Sequence, residues 1–102
     1  MATLPLRTIT FPDLDNVYTV TQKDNLLLYT DVIDDTTQSY TFSGGTVSKI
    51  EHSLKDGAVI RTDTFTYGED TITETRTLNT GERLSIATNL TTLATTVTYT
   101  KA

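Results

Sequence analysis

From residue 46 to residue 100 the chain alternates, with short runs of period two separated by turn signals at nearly even spacing. The runs read TVSKIEHSL, then KDG, AVIRTDTFTY, GED, TITETRTL, NTG, ERLSIAT, NLT and TLATTVTYT. Period-two runs divided by Asp-Gly or Asn-containing turns predict antiparallel strands joined by tight loops, a β-meander. Successive side chains on a strand point to opposite sides. In the run 70–78 this places Thr71, Thr73, Thr75 and Thr77 on one face and Ile72, Glu74, Arg76 and Leu78 on the other. The last run puts Leu93, Val97 and Tyr99 on one side and Ala94, Thr96, Thr98 and Thr100 on the other, with Leu84 and Ile86 extending the apolar row. Threonine favours extended backbone through its branched β-carbon and tolerates water through its hydroxyl. One face is therefore expected wet and Thr-rich, the other dry. Glu74 and Arg76, with Arg61 and Asp63, are expected to pair across the ladder for roughly a few tenths of a kcal/mol each, fixing register rather than forming an active site.

Earlier in the chain, LRTITF at 6–11 alternates and stops at Pro12, which cannot donate to a ladder. VYTVTQ at 17–22 is a second run, and LLLYTDVI at 26–33 reads as a buried strand, or as one helical turn and a strand, its length and β-branched end favouring the strand. QSYTF at 38–42 precedes Ser43-Gly44-Gly45, whose glycines suit a hairpin turn into the meander. No segment keeps apolar residues at three-and-four spacing over a helical length. The expectation is all-β, an antiparallel meander or sandwich of about nine short strands in one domain, 1–102. Residues 1–22 differ in character and read as an N-terminal interaction arm, with Leu6, Ile9, Phe11, Pro12 and Tyr18 as its contact residues. The competing reading makes them the first edge hairpin of the protein's own sheet.

Composition sharpens this picture. A chain of 102 residues is expected to bury roughly 60–70% of its unfolded surface. With 36% hydrophobic residues, 25 threonines and no Trp, its apolar material is spread thinly. Partner chains, including further copies of itself, are therefore expected. A net charge of −5 and a pI near 4.5 argue against nucleic acid as a partner. There is no cysteine for a disulfide or thiolate site. No apolar stretch has the length of a membrane span, so no membrane partner is expected. Asn89-Leu90-Thr91 matches a glycosylation acceptor and reads as a turn.

Candidate chemistry is sparse. His52 is the sole histidine. A Ser-His-Asp set with Ser48 or Ser53 is conceivable, but no nucleophile elbow exists, and a surface or half-buried ring is the simpler expectation. Asp13, Asp15 and Asn16, and separately Asp31, Asp34 and Asp35, offer oxygen ligands without the spacing of a calcium loop. Glu69, Asp70, Glu74 and Glu82 are expected solvated rather than paired for glycoside cleavage. Tyr18, Tyr29, Tyr40, Tyr67 and Tyr99 are either cross-strand partners or a glycan-stacking set. The sequence thus predicts no catalytic, cofactor or metal residues and no enzyme.

One resemblance extends beyond physics. Thr8-Ile9-Thr10-Phe11-Pro12, followed by Asp13-Leu14 and by Tyr18 ahead of Val20, is similar to the amino-terminal segment of many bacteriophage minor structural and fibre proteins. Ile60 to Tyr67 and Thr71 to Gly81 resemble the Thr-rich sheets of phage tail and fibre proteins. Asp13 stands where that first pattern usually has Gly, and no heptad coiled coil follows, so a trimeric shaft is not implied. The resemblance implies a virion structural subunit of a tail, fibre, collar or head decoration, made in the host cytoplasm and assembled with other virion proteins. The alternative is a β-sandwich module recognising a glycan or host surface.

Overall fold

Alternation and turn chemistry produce strands wherever they are clear. A computed structural model describes residues 8–11, 18–21, 26–28 and 35–101. The backbone groups into two compact units, Met1–Val32 and Ile33–Ala102. The sequence placed one domain over 1–102 with a change of character near Gln22; the division between the units falls further on. In the first unit, β1 (Thr8–Phe11) pairs antiparallel with β2 (Tyr18–Thr21), setting Ile9 opposite Val20 and Phe11 opposite Tyr18. Leu26, Leu27 and Leu28 are buried. The strand expected over 26–33 is represented at 26–28 by a single bridge residue and a bend, and 29–34 lie outside the described residues.

The second unit is an open six-stranded antiparallel sheet of β3 (Thr37–Ser43), β4 (Thr46–Ser53), β5 (Val59–Tyr67), β6 (Thr71–Leu78), β7 (Arg83–Asn89) and β8 (Thr95–Thr100), in that spatial order. The described residues are all-β and contain no helix. They hold eight strands in two sheets, against the nine expected, and the larger sheet is a single meander rather than two facing layers.

The connections follow from the residues in them. Gly44 and Gly45 both have positive φ, 59° and 84°, the backbone of a two-residue hairpin turn whose twist matches the flanking strands. Lys55-Asp56-Gly57 and Asn79-Thr80-Gly81 close alike. Gly57 N donates to Leu54 O and Gly81 N to Leu78 O, with the glycine again left-handed. The turn at Asn89 is held by its own side chain, whose Oδ1 accepts from Thr91 N at 2.9 Å and Thr92 N at 2.8 Å. Leu93 lies in this turn at φ 63°, ahead of β8, and so is not the strand residue expected from its alternation with Val97.

Two irregularities adjust which residues face the core. Between β3 and β4 the register shifts at Thr41/Phe42, leaving Ser48 extra on β4. That bulge brings Val47 and Ile50, three positions apart, to the same buried face. A second shift at His52/Ser53 leaves Ile60 extra on β5. The dry face then carries Val47, Ile50, Phe65, Ile72, Leu84 and Ile86, all buried. The other face is a threonine ladder, with Thr62 opposite Thr77, Thr64 opposite Thr75 and Thr66 opposite Thr73, each half-buried or exposed.

Candidate functional site

The feature that alternation alone does not reveal is a charged cluster inside the dry face. His52 on β4, Arg61 and Asp63 on β5, and Glu74 and Arg76 on β6 are all buried, with Asp63 at 0% exposure. Register brings them together: His52 stands opposite Arg61, and Asp63 opposite Arg76. Arg76 grips Asp63 with two donors, Nε to Oδ1 at 2.9 Å and Nη2 to Oδ2 at 3.2 Å. Such a fork is stronger and more directional than a single bond. Arg61 Nη2 reaches His52 Nε2 at 2.9 Å, and Arg61 Nε lies 3.6 Å from Asp63 Oδ2. His52 Nε2 also lies 3.3 Å from Asp63 Oδ2.

A guanidinium only donates, so one ring nitrogen cannot accept from Arg61 and donate to Asp63 at the same time. The two bonds from Arg76 do not depend on that choice, which makes Arg76 the partner on which Asp63 relies. Burial pushes the Asp63 carboxyl up. The ring of His52, the bonds and charge of Arg76 and the charge of Arg61 outweigh it and hold the carboxyl below its ordinary value.

These positions revise the sequence-based expectations. His52 is buried rather than surface or half-buried, because Asp63 and Arg61 on the neighbouring strand give its ring polar partners. Glu74 is buried rather than solvated, since it shares the parity of Ile72 and Arg76 on the dry face. The Asp63–Arg76 pair is desolvated, so breaking it costs far more than the few tenths expected of a surface pair. Ser48 Oγ donates to Thr41 O at 3.2 Å, and Ser53, next in sequence to His52, projects to the opposite face. The His52–Asp63 contact is thus present without a serine beside it.

Asp13, Asp15, Asn16, Asp31 and Asp34 lie outside the described residues, and Asp35 occupies a turn at φ 60°. Among the described residues no three His, Cys, Asp or Glu side chains are grouped as metal ligands would be. No helix of the described residues is long and apolar enough to cross a membrane. Glu69 and Asp70 are exposed, while Glu82 accepts from Tyr99 Oη at 2.6 Å and Thr80 Oγ1 at 3.3 Å. Tyr67 Oη donates to Val47 O at 2.6 Å. Of the expected contact residues, Ile9 and Phe11 lie on β1 and Tyr18 on β2, while Leu6 and Pro12 lie outside the described residues.

A further apolar feature sits at the rim. Tyr40 and Phe42 on β3 face the same side as their partners Ile50 and Val47, yet are 40% and 61% exposed. Their rings stack with centroids 6.5 Å apart. On β8, Val97 lies opposite buried Ile86 and is 39% exposed.

No protein-family model, curated protein or solved structure matches this chain. None of these comparisons identifies a bacteriophage protein, so the likeness of the Thr8–Pro12 segment to phage strands rests on those residues alone.

Proposed function

We propose that the protein is a non-enzymatic structural subunit that works by assembly with copies of itself and with other proteins, in the setting of a bacteriophage virion. The observation that carries the reading is the rim of the sheet, where Tyr40, Phe42 and Val97 stay exposed on the side that is otherwise dry. An exposed edge strand presents unpaired backbone groups to which another chain can add, and neighbouring apolar side chains on it favour that addition. The charged cluster supports the same reading. Within it Arg76 holds Asp63 through two bonds, Ser48 bonds to Thr41 instead, and Ser53 projects to the opposite face. Leu6, Ile9, Phe11, Pro12 and Tyr18 are assigned to contact with other virion proteins, in keeping with the separate unit that begins the chain.

A second reading is favoured by one observation. The stacked, exposed Tyr40–Phe42 pair could receive a sugar ring in a glycan-binding module. Tyr67 and Tyr99, however, spend their hydroxyls on Val47 and Glu82 within the sheet, which leaves a narrow aromatic platform. Negative-stain electron microscopy of the concentrated full chain separates the two. Assembly predicts particles with a repeating subunit, whereas a field of dispersed small monomers contradicts it.

A further inference from the structure

The two outermost strands of the six-stranded sheet share three properties. The segments TQSYTFS (β3) and TTVTYT (β8) contain no charged residue and no proline, the devices by which natural sheets discourage edge pairing. They are similar in length, seven and six residues. Both turn aromatic or β-branched side chains toward the buried face, Tyr40 and Phe42 on one and Val97 and Tyr99 on the other.

Strands of a meander alternate in direction, so the first and last of six run opposite ways. Placing β8 of one copy against β3 of the next therefore continues the antiparallel order and keeps the dry face on one side throughout. In one register every pair matches. Tyr40 meets Tyr99 of a second copy and Phe42 meets Val97, while Ser39, Thr41 and Ser43 meet Thr100, Thr98 and Thr96. Aromatic with aromatic, aromatic with β-branched and hydroxyl with hydroxyl are the combinations that stabilise cross-strand pairs. No like charges are brought opposite one another. The net charge of −5 on each copy acts mainly at separations where salt screens it, beyond about 8 Å at physiological ionic strength.

We propose that copies of this chain join head to tail, β8 of one adding to β3 of the next, so that one sheet runs through successive subunits. This rests on the assembly reading above and specifies its surface. The contact is heterologous, so it closes into rings if its rotation allows and otherwise extends as filaments.

The test uses two full-length variants, Phe42→Lys on β3 and Val97→Lys on β8, with mass measured by light scattering during gel filtration and the fold checked by circular dichroism. Each variant alone is expected to fall to the monomer mass of 11.3 kDa. An equimolar mixture is expected to form dimers and stop there, because one intact β3 and one intact β8 remain. Thr41→Lys and Thr98→Lys, on the same strands but the opposite face, provide the same comparison if a first variant loses its sheet signal. Variants as multimeric as the unmodified chain would overturn head-to-tail pairing while leaving assembly standing. A single variant that remains a dimer by itself would overturn it in favour of pairing between like edges. If the unmodified chain is a monomer at every concentration, the assembly reading falls together with this inference.

Discussion

Asp63 is the residue on which the sheet's internal electrostatics turn. Replacing it with Asn leaves Arg61 and Arg76 buried beside a lost charge, and breaking a buried pair in this way costs about 3–5 kcal/mol. Urea denaturation of Asp63→Asn measures that loss. Replacing both partners with apolar residues, Asp63→Leu with Arg76→Met, is expected to cost clearly less than the sum of the single changes, and near-additivity would show that the pair is not coupled. The direction of the Asp63 shift also sets a pH dependence. Its carboxyl is depressed in the folded protein, so the stability it contributes is present above the unfolded-state value, about 3.9. That contribution is lost as pH falls toward and through the folded value. The denaturation midpoint should therefore fall steeply below about pH 4, and Asp63→Asn should flatten that fall; an unchanged acid slope would contradict the role assigned to Asp63. The burial of this cluster is what the sequence concealed. Arg61, Asp63, Glu74 and Arg76 keep the parity of their strands, and alternation placed Glu74 and Arg76 with Ile72. Charged residues nevertheless read as solvated until a cross-strand register supplies their partners. That Glu74 and Arg76, with Arg61 and Asp63, would pair across the ladder was legible beforehand; which of them pair, and that they are buried, was not.

Turns and strands of the second unit were the most legible elements, because Gly44-Gly45, Asp56-Gly57, Asn79 with Gly81, and Asn89 each dictate a local backbone. The exceptions have local causes. The bulge at Ser48 moves Val47 to the parity of Ile50, and nothing in TVSKI announces an extra residue. Leu93 sits at φ 63° where alternation continues unbroken through it. A left-handed backbone costs an L-residue with a β-carbon roughly 1–2 kcal/mol. Leu93→Gly relieves that cost while giving up modest apolar contact, since Leu93 is 36% exposed. The variant is expected to melt at the same temperature or up to several degrees higher, as read by calorimetry; a marked drop would show that the leucine side chain is what holds the turn. At the start of the chain, β1 and β2 pair with each other in a two-stranded sheet distinct from the six-stranded one. Deleting residues 1–22 is expected to preserve the sheet signal of the six-stranded unit in circular dichroism. An unfolded truncation would favour the first-hairpin reading and end the arm reading.

At the largest scale, the second unit of this acidic chain is an open sheet that is dry on one face, with a buried charged cluster at its centre and exposed apolar side chains on both outer strands. The central cluster fixes register, because a one-residue slip would carry Asp63 and Arg76 to the threonine face. Under the head-to-tail proposal, the outer strands β3 and β8 are where another copy would add. The all-β class and the meander were legible from alternation and turn spacing, which also put Val97 and Tyr99 on the apolar side, whereas the exposure of Tyr40, Phe42 and Val97 there was not. Sedimentation velocity of the unmodified full chain over a wide concentration range tests self-assembly most directly. A structural subunit predicts species heavier than the 11.3 kDa monomer that grow as concentration and ionic strength rise, and a single monomeric boundary at every concentration would contradict it.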